Sequence, residues 1–129
     1  MKNGDFIYAN NHADFLNQAF GTNYKAWMSC VWQYNEDTIV WMVRFDKTNR
    51  SGWKNSFISD SRIKEENIYN QREWNHAPVE KPLNCKRIVI EVIDSCKPRK
   101  YIFRGIYKYD EQNSNPLDVR FHDKVSDEF

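Results

Sequence analysis

The longest run of β-branched residues, Arg87 to Asp94, sets the pattern around which the chain is organised. Ile88, Ile90 and Val92 recur at every second position, and the residues between them are also largely apolar. Because successive side chains of a strand point to opposite faces, both faces of this segment are expected to be covered. The pattern therefore predicts a strand in the middle of a sheet.

A second alternating segment, Tyr101 to Tyr109, follows a short polar turn that contains Pro98. Its odd-numbered positions are aromatic except for Gly105, and the alternation predicts that they share one face. A glycine inside a strand typically marks a bulge, a bend or the close approach of a ligand or another chain. Together the two segments predict a hairpin over residues 86–110.

The rest of the chain predicts one helix and several more strands. Residues 11–21 carry an asparagine cap, an apolar stripe at helical spacing and a terminal glycine, which predict a helix that packs on the sheet. Further strands are predicted at residues 6–8 and 38–46, and residues 119–129 predict a last strand and a short terminal segment. Residues 24–34 fit both helical spacing and the alternation of a strand, and the polar turn before residue 38 favours a strand at 26–34. The polar residues 60–68 are expected at the surface, as a helical turn or a short strand. Residues 69–82 predict a long functional loop that carries Trp74.

These elements predict the fold class. The chain reads as a single α+β domain over residues 1–129, with a strongly bent, mainly antiparallel sheet of five or six strands and one or two short helices. A chain of 129 residues is long enough to bury one core. No repeat or linker divides it.

Aromatic residues make up 16% of the chain. This is more than a core of this size needs, and surplus Trp and Tyr favour contact with a partner. The net charge of +1 excludes a strong overall field that would attract polyanions. However, residues 110–129 hold six acidic and only two basic side chains, so the preceding part carries a basic surplus.

The three cysteines form no CxxC pair and are odd in number. This pattern predicts reduced thiols rather than a zinc site or a disulfide framework. The N-terminal residues are polar and precede no long apolar run, which predicts neither a signal peptide nor a membrane span. We therefore expect a cytoplasmic protein with no cofactor, no metal and no membrane association.

Charged residues of the hairpin raise the alternative of a metal-dependent nuclease. In such enzymes carboxylates hold a divalent ion and a lysine assists, and Glu91, Asp94 and Lys97 offer these groups. The usual acidic-x-Lys spacing is missing, and the three histidines lie far apart. The sequence also contains no phosphate-binding glycine loop and no GxSxG motif. A binding protein is therefore favoured over an enzyme.

Aromatic side chains beside basic ones are used to stack on nucleobases while contacting nearby phosphates. Three groups in the chain have this composition. They are Trp53 with Lys54 and Arg50, Trp74 with Arg72, and Tyr101 and Tyr107 with Arg104. Trp53 and Trp74 are flanked by polar residues and are predicted on loops, where binding residues concentrate. For the aromatic residues on strands, packing in the core is the simpler interpretation.

The last third of the chain resembles the closing part of small PUA-like domains, which include the SRA and EVE groups. The likeness is carried by Tyr101 to Asp110, with its Phe-x-Gly-x-Tyr pattern, and by the following basic strand from Val119 to Ser126. It implies a curved, barrel-like sheet and a pocket for a flipped base, often methylated or hydroxymethylated. Such pockets stack the base on aromatic rings and read its edge with a carboxylate or an amide. Some members of these groups are attached to restriction nucleases or encoded beside them.

The chemistry of such a pocket suggests candidate ligand-binding residues. They are Trp32, Asp46, Trp53, Lys54, Asn55, Arg72, Trp74, Arg104 and Tyr107. We predict a non-catalytic module that binds DNA or RNA and reads a modified or flipped base, in phage defence or counter-defence. The alternative is a protein-interaction module, such as a small phage inhibitor, that buries its exposed aromatic side chains on a protein partner. The near-neutral charge favours this alternative.

Overall fold

The computed structural model describes residues 1–50, 52–68 and 85–129, and within them the chain forms eight strands and one helix. In chain order they are β1 (Phe6–Ala9), α1 (His12–Phe20), β2 (Val31–Asn35), β3 (Thr38–Val43), β4 (Trp53–Ser59), β5 (Arg62–Asn67), β6 (Lys86–Ile93), β7 (Arg99–Tyr109) and β8 (Val119–Ser126). The sheet exceeds the predicted five or six strands, whereas its mainly antiparallel, bent character is confirmed.

The strands form one curled sheet in the order β2-β3-β6-β7-β8-β5-β4, with β1 paired to β7. Only the pair of β3 and β6 is parallel among the described strands. Trp41 and Val43 of β3 pack in one cluster with Ile63 of β5, although the two strands are distant in the sheet order. The sheet therefore curls so that strands near its two edges face each other across the interior of the domain.

The outer face of the sheet carries α1. Asn11 caps the helix by accepting a hydrogen bond from the Asp14 amide at 2.9 Å, and Gly21 ends it in the left-handed conformation. Phe15 stacks on Tyr101 with 4.7 Å between ring centroids. The predicted helix, its caps and its packing against the sheet are confirmed.

Both faces of β6 are buried, as its sequence predicts. Ile88 and Ile90 pack in the outer cluster beneath α1, whereas Val89 packs in the inner cluster. The inner cluster also contains Trp41 and Tyr107. One strand thus links two separate cores.

A bulge at Gly105 changes the face of the sheet to which the later side chains of β7 point. Gly105 has φ +111°, and a Cβ there would lie 2.8 Å from the Ser126 carbonyl oxygen. The pairing of β7 shifts register here against both neighbours, so the extra residue reverses the alternation. Tyr101 and Phe103 pack in the outer cluster, but Tyr107 packs in the inner one. The predicted bulge is confirmed, and the prediction that the aromatic positions share one face is wrong.

Two further local predictions are wrong. Residues 60–68 do not lie wholly at the surface, because Ile63 and Glu65 of β5 are buried. Trp53 does not lie on a loop but begins β4, and only 6% of it is exposed. In both cases pairing with a distant strand buries residues whose sequence neighbours are polar.

Two other expectations have a partial or open outcome. Of the predicted strand 26–34, only the part from Val31 onward forms β2. The long loop at 69–82 lies outside the described residues.

No described helix has the length and apolarity needed to cross a membrane.

Candidate functional site

A cavity of about 300 Å³ lies on the inner side of the curled sheet, between β3 and the β4–β5 pair. Its wall includes Cys30 and Trp41 on one side and Asn55 and Glu65 on the other. We call it the inner cavity. The curl of the sheet creates it, because β3 and β5 belong to opposite parts of the strand order.

Strand register places three polar side chains in one row on the cavity side. Asn55 of β4 lies opposite Glu65 of β5, and Glu65 lies opposite Arg120 of β8. Directly opposed residues on paired strands share a face and lie close enough for their side chains to interact. The row is therefore a consequence of two antiparallel pairings, one between neighbours in the chain and one between distant strands.

Asn55 presents an unpaired acceptor in this row. Its Oδ1 is buried and has no hydrogen-bond partner among the described residues. Leaving a buried polar atom unpaired costs about 1–3 kcal/mol, so such atoms are uncommon without a functional reason. A ligand donor would remove this cost.

Glu65 offers a second acceptor, and its surroundings keep it ionised. His122 Nε2 lies 3.2 Å and Arg120 Nη1 lies 3.6 Å from Glu65 Oε1. Burial raises the pKa of the Glu65 carboxyl, but the hydrogen bond from His122 and the nearby Arg87 and Arg120 charges outweigh burial and lower the pKa to about 2. The carboxylate therefore accepts hydrogen bonds and donates none at neutral pH.

His122 supports Glu65 as a neutral imidazole. Its side chain is fully buried, and burial lowers its pKa. The neutral ring places its proton on Nε2, where Glu65 accepts it, because Nδ1 has no partner among the described residues. The Trp41 ring, 5.3 Å away between centroids, packs against the imidazole.

Two tryptophans hold arginines near the carboxylate. The Arg120 guanidinium carbon lies 4.1 Å from the centroid of the Trp53 ring, and that of Arg87 lies 4.6 Å from the Trp41 ring. Such cation–π contacts align the charge without neutralising it. Trp53 therefore positions Arg120 behind Glu65.

The predicted ligand-binding residues near this cavity occupy different positions. Asn55 lines it, whereas Trp53 packs behind it. Lys54, between them in β4, points to the opposite face of the strand. Asp46 is exposed and has φ 63°, and its amide donates to the Asn55 carbonyl oxygen at 2.7 Å. Trp74 and Arg72 lie outside the described residues.

Arg104 and Tyr107 line a different, open groove of about 660 Å³. Arg104 forms an ion pair with Glu91 at 2.8 Å, so its charge is already compensated. The Tyr107 hydroxyl is buried, and burial raises its pKa to about 12. Although this groove is larger, its cations are paired with carboxylates, and the inner cavity is the better candidate site.

Trp32 belongs to a third region, on the outer face. Its ring lies 5.3 Å from Phe20 and 6.0 Å from Tyr34 between centroids, and its Nε1 donates to the Tyr24 hydroxyl at 2.9 Å. It packs against the cluster beneath α1. The structure therefore does not bring Trp32 to the inner cavity.

Sequence reasoning missed Glu65, Arg120 and His122. The spacing of Ile63 and Glu65 in β5 gives a weak alternation signal, which the surrounding charged residues obscure. No local pattern brings β8 beside β5. Only the fold reveals that these side chains converge.

The carboxylates considered for a nuclease are engaged elsewhere. Glu91 pairs with Arg104, and Asp94 pairs with Arg44 and Lys47. Across residues 1–50, 52–68 and 85–129, no group of three His, Cys, Asp or Glu side chains could hold a metal ion. The described structure therefore gives the nuclease alternative no support.

Comparison with known proteins identifies a matching family and a protein of similar structure. The model of the SET and RING associated (SRA) domain matches residues 1–129. The 5-hydroxymethylcytosine-specific restriction enzyme AbaSI has a similar structure, with a TM-score of 0.68 and 20% identity over 96% of this chain. This chain spans only 39% of that enzyme, and the likeness establishes the fold. A search of curated proteins finds no significant match.

Proposed function

Because this chain belongs to the SRA domain family, we propose that it is a DNA-binding module whose inner cavity receives an extruded, modified cytosine. The family match covers all 129 residues rather than the last third that the sequence indicated. The predicted relationship to PUA-like domains of the SRA group is thereby confirmed.

The observation that carries the proposal is the pair of buried acceptors in the inner cavity. Asn55 Oδ1 is unpaired, and Glu65 is held as a carboxylate by His122. Cytosine presents the N4 amino group as a donor, whereas thymine presents an oxygen acceptor at the same position. A cavity of acceptors therefore favours cytosine over thymine.

A 5-hydroxymethyl group adds a hydroxyl donor to the same base. AbaSI is described as specific for 5-hydroxymethylcytosine, and this substituent suits a cavity that contains two acceptors. The cavity volume of about 300 Å³ lies at the small end of typical ligand sites, which suits one base and its substituent. We therefore propose 5-hydroxymethylcytosine as the first ligand to test.

The test combines affinity with a direct signal of base extrusion. Duplexes carry one 5-hydroxymethylcytosine, 5-methylcytosine or cytosine beside 2-aminopurine, whose fluorescence rises when its neighbour leaves the stack. We expect tighter binding and a larger fluorescence rise with the modified duplexes, because extrusion brings the base into the cavity. Equal affinity for all three duplexes, without a fluorescence change, would contradict the proposal.

Glu65→Gln is the sharpest variant for this test. The amide has nearly the same shape but lacks the charge, and charge-assisted hydrogen bonds contribute about 1.5–3 kcal/mol, so the affinity for the modified duplex should fall roughly 10- to 100-fold. Glu66→Gln is the matched control. Glu66 is the next residue of the same strand, faces the other way and is partly exposed. The Glu66→Gln variant should bind the modified duplex with the affinity of the unchanged chain.

The wider biological roles stay predictions. We propose a role in phage defence or counter-defence and a cytoplasmic location on the grounds given by the sequence alone. The cleavage activity implied by the description of AbaSI is not carried over, since this chain spans less than half of that enzyme.

A further inference from the structure

The open groove of about 660 Å³ is separate from the inner cavity. Its lining includes residues 57–60 at the end of β4, Glu91 of β6, Arg104 and Tyr107 of β7, and Lys124 and Asp127. No residue lines both the groove and the inner cavity. A ligand in the inner cavity therefore leaves the groove free for a second partner.

The Tyr107 hydroxyl is the unpaired polar group of this groove. The side chain is fully buried, and its hydroxyl has no hydrogen-bond partner among the described residues. Burial raises the pKa of Tyr107, Asp127 and Asp60 raise it further, and Arg104 opposes them. The hydroxyl stays protonated at neutral pH, and its oxygen can accept a hydrogen bond from a ligand.

Two ion pairs take up the basic side chains that line the groove. Arg104 Nη2 lies 2.8 Å from Glu91 Oε1, and Lys124 Nζ lies 3.0 Å from Asp127 Oδ1. Both cations are therefore already matched by a carboxylate, and neither is available as an unpaired charge for a phosphate.

Asp60 gives the groove a surplus of negative charge. It lies in the turn between β4 and β5, is exposed, and forms none of the ion pairs within residues 1–50, 52–68 and 85–129. The nearby Arg62 does not compensate it, because Arg62 bridges Asp110 and Asp123 at 2.9 and 3.0 Å. The groove therefore favours a cationic group over an anionic one.

The edge of β4 beside the groove offers backbone groups as well. β4 ends the sheet order, and its Trp53 and Asn55 carbonyl oxygens accept from the Asn49 and Asp46 amides at 2.8 and 2.7 Å. Because backbone groups alternate between the two edges of a strand, Phe57 presents its N–H and C=O at this same edge. No described segment pairs with the edge there. An open edge of this kind accepts an extended peptide as an added strand.

We propose that the open groove binds an extended segment of a protein partner and holds a lysine or arginine side chain of that segment by Asp60 and the Tyr107 hydroxyl. The segment pairs with the β4 edge at Phe57, and Ile58, which is half exposed in the groove lining, gives it an apolar contact. A peptide brings both a strand backbone and a positive charge, whereas a phosphate backbone would meet the surplus carboxylate. The inference goes beyond the proposed function and does not depend on it.

A matched set of labelled peptides tests this inference on the unchanged chain. The parent peptide alternates threonine and valine around one central lysine, and in its twins arginine, norleucine or glutamate replaces the lysine. The lysine and arginine peptides should bind about tenfold more tightly than the norleucine peptide, which has no charged donor, and the glutamate peptide should bind most weakly. Fluorescence anisotropy measures these affinities. Nitrogen-15 NMR spectra should show shifts of the Phe57 and Ile58 amides.

Asp60→Asn and Tyr107→Phe remove the two groups that hold the cation. Each should weaken binding of the lysine peptide about fivefold to tenfold and leave the norleucine peptide unchanged. Tyr107→Phe deletes a hydroxyl without a described partner, so thermal melting should show no loss of stability. Glu36→Gln is the matched control, because Glu36 is an exposed carboxylate in the turn between β2 and β3 and does not line the groove. It should leave both affinities unchanged.

Several outcomes would overturn the inference. They are equal affinity for all four peptides, no binding at about 1 mM peptide, and an equal loss of affinity in Glu36→Gln. Shifts of the Phe57 and Ile58 amides with an unmodified DNA duplex would assign the groove to nucleic acid instead. The base preference of the inner cavity is measured with separate ligands, so its success or failure is read independently of these results.

Discussion

The two faces of the sheet differ in what they bury. The outer face buries Phe15, Leu16 and Phe103 against one another beneath α1, without an ionised group in the cluster. The inner face buries an ionised carboxylate and a cavity beside its apolar cluster. Apolar burial at roughly 25 cal/mol per Å² stabilises the fold, whereas buried polar groups cost free energy unless they are paired.

This difference suggests a division of roles between the faces. Net stability of a domain is about 5–15 kcal/mol, so a face that holds unpaired polar atoms needs compensation elsewhere. The outer cluster supplies this compensation through its buried apolar side chains. The two faces are joined because β6 and β7 contribute residues to both clusters. Substitutions should therefore separate stability from binding according to the face they affect.

The largest effect is expected from Phe103→Ala on the outer face. Removing a fully buried ring leaves a cavity, and the free energy of unfolding should fall by about 4 kcal/mol. Urea denaturation measures the change. Phe6→Ala, at a half-exposed ring of the same strand pair, should change stability by less than about 1 kcal/mol. Similar losses in the two variants would contradict the assignment of the core.

Acid should destabilise the protein through His12, which lies on the outer face. The His12 pKa is about 4 in the fold against an ordinary 6.5, so the unfolded chain binds the proton more tightly. Stability is then fully present above pH 6.5 and is lost as the pH falls towards 4, by up to about 3 kcal/mol.

Denaturation at pH 7 and pH 5 measures this loss, and His12→Phe should reduce it. Burial also lowers the pKa of His122, so part of the pH dependence should remain in the variant. A variant with the full pH dependence of the unchanged chain would show that His12 does not contribute.

Gly105→Ala tests the point at which β7 crosses from one face to the other. The positive φ and the 2.8 Å approach of the new Cβ to Ser126 should together cost about 2 kcal/mol of unfolding free energy. Gly4→Ala is a matched control, because Gly4 also has positive φ but no atom within 4 Å of the new Cβ. An equal loss in both would show that backbone strain alone matters.

The smallest effect on stability is expected from Asn55→Ala on the inner face. The change removes an unpaired buried oxygen, so the free energy of unfolding should stay within about 1 kcal/mol. The affinity for a modified duplex should nevertheless fall about tenfold, because one hydrogen bond to the base is lost. Thermal melting and anisotropy measure the two quantities. A large stability loss with unchanged affinity would remove the distinction between the faces.

Local patterns predicted the outer face well. The caps of α1 and the alternation of β6 are encoded within a few residues, and both were found where the sequence placed them. The bulge was predicted from Gly105, but its effect on Tyr107 was not, because one extra residue reverses every later position.

The inner face was harder to predict because its contacts join distant segments. Asn55 was proposed from the chemistry of a base pocket, and it lines the inner cavity. Glu65 lies in a charged run that predicted surface, and only its register against Arg120 explains its burial. Trp53, proposed as a base-stacking residue, is buried at the start of β4 and stacks on Arg120. These relations depend on strand pairings that no local pattern specifies.

The parallel pairing of β3 with β6 also has a consequence for how the chain folds. Val40 pairs with Ile88, and β4 and β5 lie between them in the chain, so a long loop must close before this pairing can form. Pairings of this kind raise contact order and slow folding towards milliseconds to seconds. The local hairpin of β6 and β7 should form early, and the inner cavity, which needs β3 and β5 to meet, should be completed last.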